Sequence, residues 1–183
     1  MGAGAERWPL ILNEQKRRVG TEESDKKMGR NGKDGIRIVR SGVSVFEVEV
    51  DLGKYASVLT TDIKGFSRKL LRLLPTLKNH ECFAGESGGF VEEMKEGTDL
   101  AHVMEHVTLE LLRLANGSRR QYSGWTRKTR RKRIHVIHFQ APGGAVAKRA
   151  SQCAARTIQD IIEGKPVNKN AILKEIKDGK GGN

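Results

Sequence analysis

Between Thr98 and Asn116-Gly117 lies a stretch that reads as one helix, and any fold of this chain must be built around it. Thr98 is placed to cap it, Asp99 suits the positive helix end, and Asn116-Gly117 supplies the stop, so the helix is expected over Asp99 to Ala115. At about 100° per residue, Leu100, Val103, Met104, Val107, Leu111 and Leu114 form an apolar stripe that needs a core to face. The opposite face carries His102, Glu105, His106, Leu109, Glu110 and Arg113. A chain of 183 residues is long enough for one domain with such a core.

His102-Val103-Met104-Glu105-His106 is the inverted zinc-hydrolase spacing H-x-x-E-H. Residues at i and i+4 lie one turn apart on one helix face, so both imidazoles can reach a single divalent metal, zinc being the first choice. Glu105 would sit beside the activated water as general base, the metal lowering that water's pKa toward about 7. The same spacing also suits a solvated helix face, and periodicity does not separate the two. Zinc of this kind usually takes three protein ligands. His80, Cys82 and Glu110 are the candidates for the third, although Glu110 stands two turns from His102. No carboxylate follows in the chain until Asp160.

The net charge of +12 is local. From Leu111 to Gln159 there is no Asp or Glu but twelve basic residues, while the remaining 22 basic residues balance 22 acidic ones. The densest part, Arg119 to Arg133, includes Tyr122 and Trp125, which pairs cationic groups with stacking faces. An anionic or carboxylate-bearing partner is expected. A solvated loop without a partner is the bland alternative, and a nucleic-acid binder rests on charge and two aromatics alone. Two cysteines are too few for a disulfide framework. No apolar run approaches the roughly 20 residues of a membrane helix, and the start lacks a basic region followed by an apolar one, so a cytoplasmic location away from membranes is expected.

The organisation is that of an ordered middle between polar ends. Residues 1–35 are expected to form a disordered extension, 36–164 the folded domain and 165–183 a polar tail. Ile36 to Arg40 and Val43 to Leu52 read as a hairpin about Ser41-Gly42; in the second strand Phe46, Val48, Val50 and Leu52 alternate with Glu47, Glu49 and Asp51. Phe66, Leu70, Leu73 and Leu74 follow helical spacing, with Asp62 as cap and Pro75 as stop. Leu77 to Phe83 is expected as a short strand and Phe90 to Glu96 as a brief helix. Ile134 to Phe139 reads as an interior strand and Val146 to Ile162 as a final helix ended by Gly164 and Pro166. Mixed elements of this kind favour an α+β domain, a mixed or antiparallel sheet covered by helices, with flexible polar N- and C-terminal extensions.

Several blocks, in order, resemble the N-terminal domain of cyanophycin synthetase: Thr61-Asp62-Ile63-Lys64-Gly65-Phe66, Leu70 to Pro75, His80-Glu81-Cys82, Gly88-Gly89-Phe90-Val91-Glu92, Glu96-Gly97-Thr98 and His102 to Leu111. Gly124-Trp125-Thr126-Arg127-Lys128-Thr129 is similar to that domain's Gly-x-Thr-Arg-x-Thr turn. The resemblance spans about Val43 to Gly164. It implies a domain that holds a polymer with a poly-aspartate backbone and, in many members, cuts it at a metallopeptidase-like site matching His102, Glu105 and His106. A cyanophycin-like polymer or another carboxylate-rich polyanion is the implied partner, with Thr126, Arg127, Thr129 and Arg130 as its contacts and a separate synthetase as a further partner. No G-x-x-x-x-G-K-[ST] phosphate loop is present, so polymer synthesis by this chain is not expected.

Overall fold

The alternating segment forms strand β2, Ser44–Asp51, and its inward residues Phe46, Val48 and Val50 are buried. The structure, a computed structural model, describes residues 10–13, 44–82, 87–117 and 120–178. Strand β1, Leu10–Asn13, pairs antiparallel with β2 along one edge, Leu10 opposite Val50. Strand β4, Ile134–Ala141, pairs antiparallel with β2 along the other, Val48 opposite Ile137. Strand β3, Gly124–Lys128, closes the order β1-β2-β4-β3 as an antiparallel edge strand.

Directly opposed residues share a sheet face. The face holding Phe46, Val48, Val50, Ile137, Phe139 and Ala141 therefore joins the core. Glu47, Glu49 and His138 lie on the other face, which is the wet face that the alternation requires. Among the described residues, five helices complete the α+β domain: α1 (Phe66–Leu73), α2 (Gly89–Glu96), α3 (Leu100–Ala115), α4 (Gly144–Ile162) and α5 (Lys169–Asp178). The apolar stripe of α3 meets α4, while its other side lies against β3, β4 and the 3-10 turn Pro75–Asn79. Thirteen of its sixteen residues are buried, so α3 is the centre of the molecule and not a surface helix.

Several expectations change. Leu10–Asn13, placed by sequence in an extension, is a strand, whereas the rest of residues 1–35, the strand at Ile36 to Arg40 and its Ser41-Gly42 turn lie outside the described residues. Lys169–Asp178, placed in a polar tail, is a helix that buries Ile172 and Ile176 against α3 and α4. Leu77 to Phe83 is not a strand, because Pro75 starts a 3-10 turn over Pro75–Asn79 that buries Leu77; only Glu81 bridges to Ser87, and Phe83 is outside the described residues. Asp62 does not cap α1; its carboxylate accepts from the Leu59 N–H at 2.8 Å, and Gly65, at φ 71°, precedes the helix. Asp99, not Thr98, caps α3, accepting from the His102 N–H at 3.0 Å. Among the described residues no helix is long and apolar enough to cross a membrane.

Candidate metal centre

The 3-10 turn and the bridge at Glu81 carry Cys82 to the polar side of α3. There Cys82 Sγ lies 3.7 Å from His102 Nε2 and 3.4 Å from His106 Nε2, and the two Nε2 atoms are 3.1 Å apart. Tetrahedral zinc bonds of about 2.0–2.3 Å place neighbouring donors roughly 3.3–3.6 Å from one another. The three separations, 3.1 to 3.7 Å, lie within about 0.2 Å of that range, and with two imidazoles and a thiol as donors the residues fit a metal.

The surrounding hydrogen bonds fix which nitrogens carry hydrogen. His102 Nδ1 faces Thr98 Oγ1 at 2.9 Å and Glu93 Oε2 at 3.1 Å. A carboxylate only accepts, so Nδ1 holds the hydrogen and Nε2 presents a lone pair. On the other ring, His106 Nδ1 lies 3.1 Å from His80 Nδ1, and His80 Nε2 lies 3.3 Å from Glu110 Oε2. Burial alone would raise the Glu110 pKa, but hydrogen bonds from Arg113, His80 and Thr76 outweigh it and hold the carboxyl at about 2. Glu110 is therefore an ionised acceptor, clasped by Arg113 through Nε and a terminal nitrogen, each at 2.8 Å. A neutral His80 donates from Nε2 and accepts at Nδ1, so His106 donates from Nδ1 and keeps Nε2 bare. Two imidazole lone pairs thus face each other beside a sulfur, an arrangement that a cation satisfies. Burial depresses the pKa of His102, and burial followed by the neighbouring His102 and His80 rings pushes His106 down to about 2, so both rings are neutral at pH 7. Phe90 stacks on His106 with centroids 4.0 Å apart and seals that side.

Glu105 lies one residue before His106 but is directed at the sheet. Its Oε2 accepts from Thr126 Oγ1 at 2.7 Å. Burial pushes its carboxyl up to about 7, against the lowering effect of the Thr126 hydrogen bond, which is the range suited to a general base. The close approach explains Gly124: a Cβ there would stand 2.7 Å from the His138 carbonyl oxygen and 3.3 Å from Glu105 Cγ. An open cleft of about 790 Å³ has Glu105, His106, His80, Tyr122 and Gly124 in its walls.

Of the residues singled out by sequence, the fold gathers His102, His106 and Cys82 into one donor set and puts Glu105 and Thr126 beside it. Glu110 and His80 form an outer chain behind His106 and do not join the donors. Glu110 sits too far along α3, where Arg113 and Thr76 donate to its oxygens. The expected turn at Gly124 to Thr129 is mostly strand β3, so Arg127 alternates onto the face away from Glu105. Thr129 Oγ1 donates to the Ile134 carbonyl at 2.7 Å and braces the β3–β4 turn, while Arg130 is exposed. Sequence reasoning missed Glu93, Phe90 and Arg113 as partners. Only Arg113, three residues after Glu110 on one helix, carried a readable signal.

Residues 47–163 match the family described as the cyanophycin synthase-like N-terminal domain. The chain belongs to that family. It is 32% identical over 131 residues to the cyanophycin synthetase of Trichormus variabilis, covering 72% of this chain and 14% of the relative. It is 34% identical over 116 residues to that of Crocosphaera subtropica, covering 63% and 13%, and 30% identical over 131 residues to that of Synechocystis, covering 72% and 15%. The chain thus spans about one seventh of the length of these relatives. The family match takes in the whole donor set, Glu105 and Thr126.

Proposed function

We propose that this cyanophycin synthase-like N-terminal domain binds a polymer with a poly-aspartate backbone and hydrolyses that backbone as a metal-dependent peptidase. One observation carries the reading: a buried carboxylate, Glu105, held by a strand hydroxyl, lines the same open cleft as His106 of the convergent Cys82, His102 and His106 donor set. A bound divalent metal, zinc by the donor chemistry, supplies Lewis-acid polarisation and acidifies water. Glu105 takes the proton of the attacking water as the carbon–oxygen bond forms. It then returns that proton to the departing amide nitrogen as the carbon–nitrogen bond breaks. Thr126 keeps Oε2 in place so that Oε1 meets the water. Cationic side chains around β3 hold the polymer's carboxylates, and a separate synthetase is the partner class that would extend the shortened chains.

The test combines metal analysis of purified protein with incubation against cyanophycin. Shortened chains are expected with wild type. Glu105→Gln keeps the Thr126 hydrogen bond and should lower cleavage about 10²–10⁴-fold while sparing binding. Polymer bound but never shortened, by protein loaded with zinc, would reduce the chain to a binding module. Tight DNA binding with a steep salt slope in place of polymer binding would assign it to nucleic acid.

A further inference from the structure

The geometry points to the outer edge of β3 as a docking rail for the peptide backbone of the substrate, which would add to the sheet as a further strand. This inference rests on the polymer reading above and deepens it by assigning the groups that hold the chain.

The register decides which backbone groups face outward. Gln140 N donates to Ser123 O at 2.9 Å and Thr129 N donates to Ile134 O at 3.2 Å, so Ser123 and Thr129 stand at hydrogen-bonded positions opposite β4. Hydrogen-bonded and non-hydrogen-bonded pairs alternate in an antiparallel ladder, so Trp125 and Arg127 also direct their peptide groups at β4. Gly124, Thr126 and Lys128 then direct their N–H and C=O groups away from β4, toward an edge on which no strand lies among the described residues. The side chains of Thr126 and Lys128 face α3 and its cap: Thr126 reaches Glu105, and Lys128 Nζ lies 3.4 Å from Asp99 Oδ2. Because Gly124 has no Cβ, Glu105 packs directly under the strand. A chain paired with this edge would run past the base and into the cleft that Gly124 and Tyr122 line.

The occupant is an extended α-linked backbone bearing carboxylates. Main-chain pairing gives affinity without demanding a particular side chain, which suits a homopolymer. The exposed Arg127, Lys128, Arg130, Arg131 and Lys132 attract such a chain and repel a second copy of the same edge.

The test uses Glu105→Gln protein, which leaves the ligand intact, and short synthetic oligomers of aspartate carrying arginine on each β-carboxyl. Two oligomers have the same number of backbone N-methyl groups, placed on alternate residues or in one contiguous block. Alternate methylation leaves one strand edge bare, and that oligomer should bind nearly as well as the unmodified one. A contiguous block spoils both edges and should weaken binding about tenfold. Lys128→Pro, which removes an outward N–H and the ammonium, should bind the unmodified oligomer several-fold more weakly than Lys128→Ala, which removes the ammonium alone. If Lys128→Pro does not fold, the methylation pair on otherwise intact protein still decides. Equal affinity for the two methylated oligomers overturns the rail and leaves the polymer reading standing. Failure to bind the unmodified oligomer overturns both. A dimer in sedimentation that Lys128→Pro dissociates would give the edge to a second copy and overturn the rail.

Discussion

His80 lies outside the donor set, yet its removal should weaken metal binding by a predictable amount. In the wild type His106 Nδ1–H donates to His80 Nδ1 at 3.1 Å, and His80 Nε2–H donates to Glu110 at 3.3 Å. In His80→Ala the first bond is lost, and nothing then keeps the hydrogen on Nδ1 and off Nε2. Loss of such an outer partner commonly costs about 10–100-fold in metal affinity. Both contacts are at the long end of the hydrogen-bond range, which favours the lower figure, about tenfold or roughly 1.4 kcal/mol. His80→Asn, whose amide oxygen can accept, should recover part of the loss. Competition titration of zinc against a chromophoric chelator, at a temperature where melting curves show each variant folded, reads the effect. Zinc held as tightly by folded His80→Ala as by wild type would refute the tautomer argument, and a wild type that binds no zinc would refute the metal centre itself.

Gly124→Ala should destabilise the fold by about 1–3 kcal/mol in denaturant titration, because the new methyl meets backbone and cannot be relieved by a side-chain rotation; cleavage should fall with it as β3 lifts from Glu105. Glu110 is lowered from 4.5 to about 2 in the fold, so its stabilisation is fully present above pH 4.5 and is lost as the pH falls toward 2. Its side chain is wholly buried, and the stability gap between wild type and Glu110→Gln, about 3 kcal/mol near neutrality, should close over that window when unfolding is followed at successive pH values. Ile176→Ala should cost about 2–4 kcal/mol by the same assay, since Ile176 is fully buried on the inner face of α5; a negligible loss would mean that the helix does not hold its place in solution.

The parts of this architecture that could be read from sequence are those in which one residue's neighbours along the chain determine its face. Phe46, Val48 and Val50 alternate with acids, and β2 follows; His102, Glu105 and His106 recur at helical spacing, and the polar side of α3 follows. Cys82 was one candidate among three because it sits in irregular backbone, where no period says which way a side chain points. β3 reads as a turn in sequence because Trp125, Arg127 and Lys128, exposed along it, do not make the apolar alternation of a half-buried strand. β1 and α5 were submerged in polar surroundings: a four-residue strand has little periodicity, and Ile172 and Ile176 are spaced by one turn among lysines that dominated the composition. The Glu110–His80–His106 chain joins residues 30 and 26 positions apart, and such pairings come only from the tertiary fold.

β1 and α5 also alter what counts as the autonomous unit. The recognisable family region ends at residue 163 and begins at 47, whereas the sheet starts at Leu10 and the last helix finishes at Asp178. A fragment trimmed to the recognisable region would lose the first residues of β2 and strip that strand of its outer neighbour. It would also uncover apolar surface on α3 and α4 that Ile172 and Ile176 now cover. A bare strand edge and a bare apolar flank both promote association. The smallest piece expected to resist such association is therefore wider at both ends than the piece that similarity picks out.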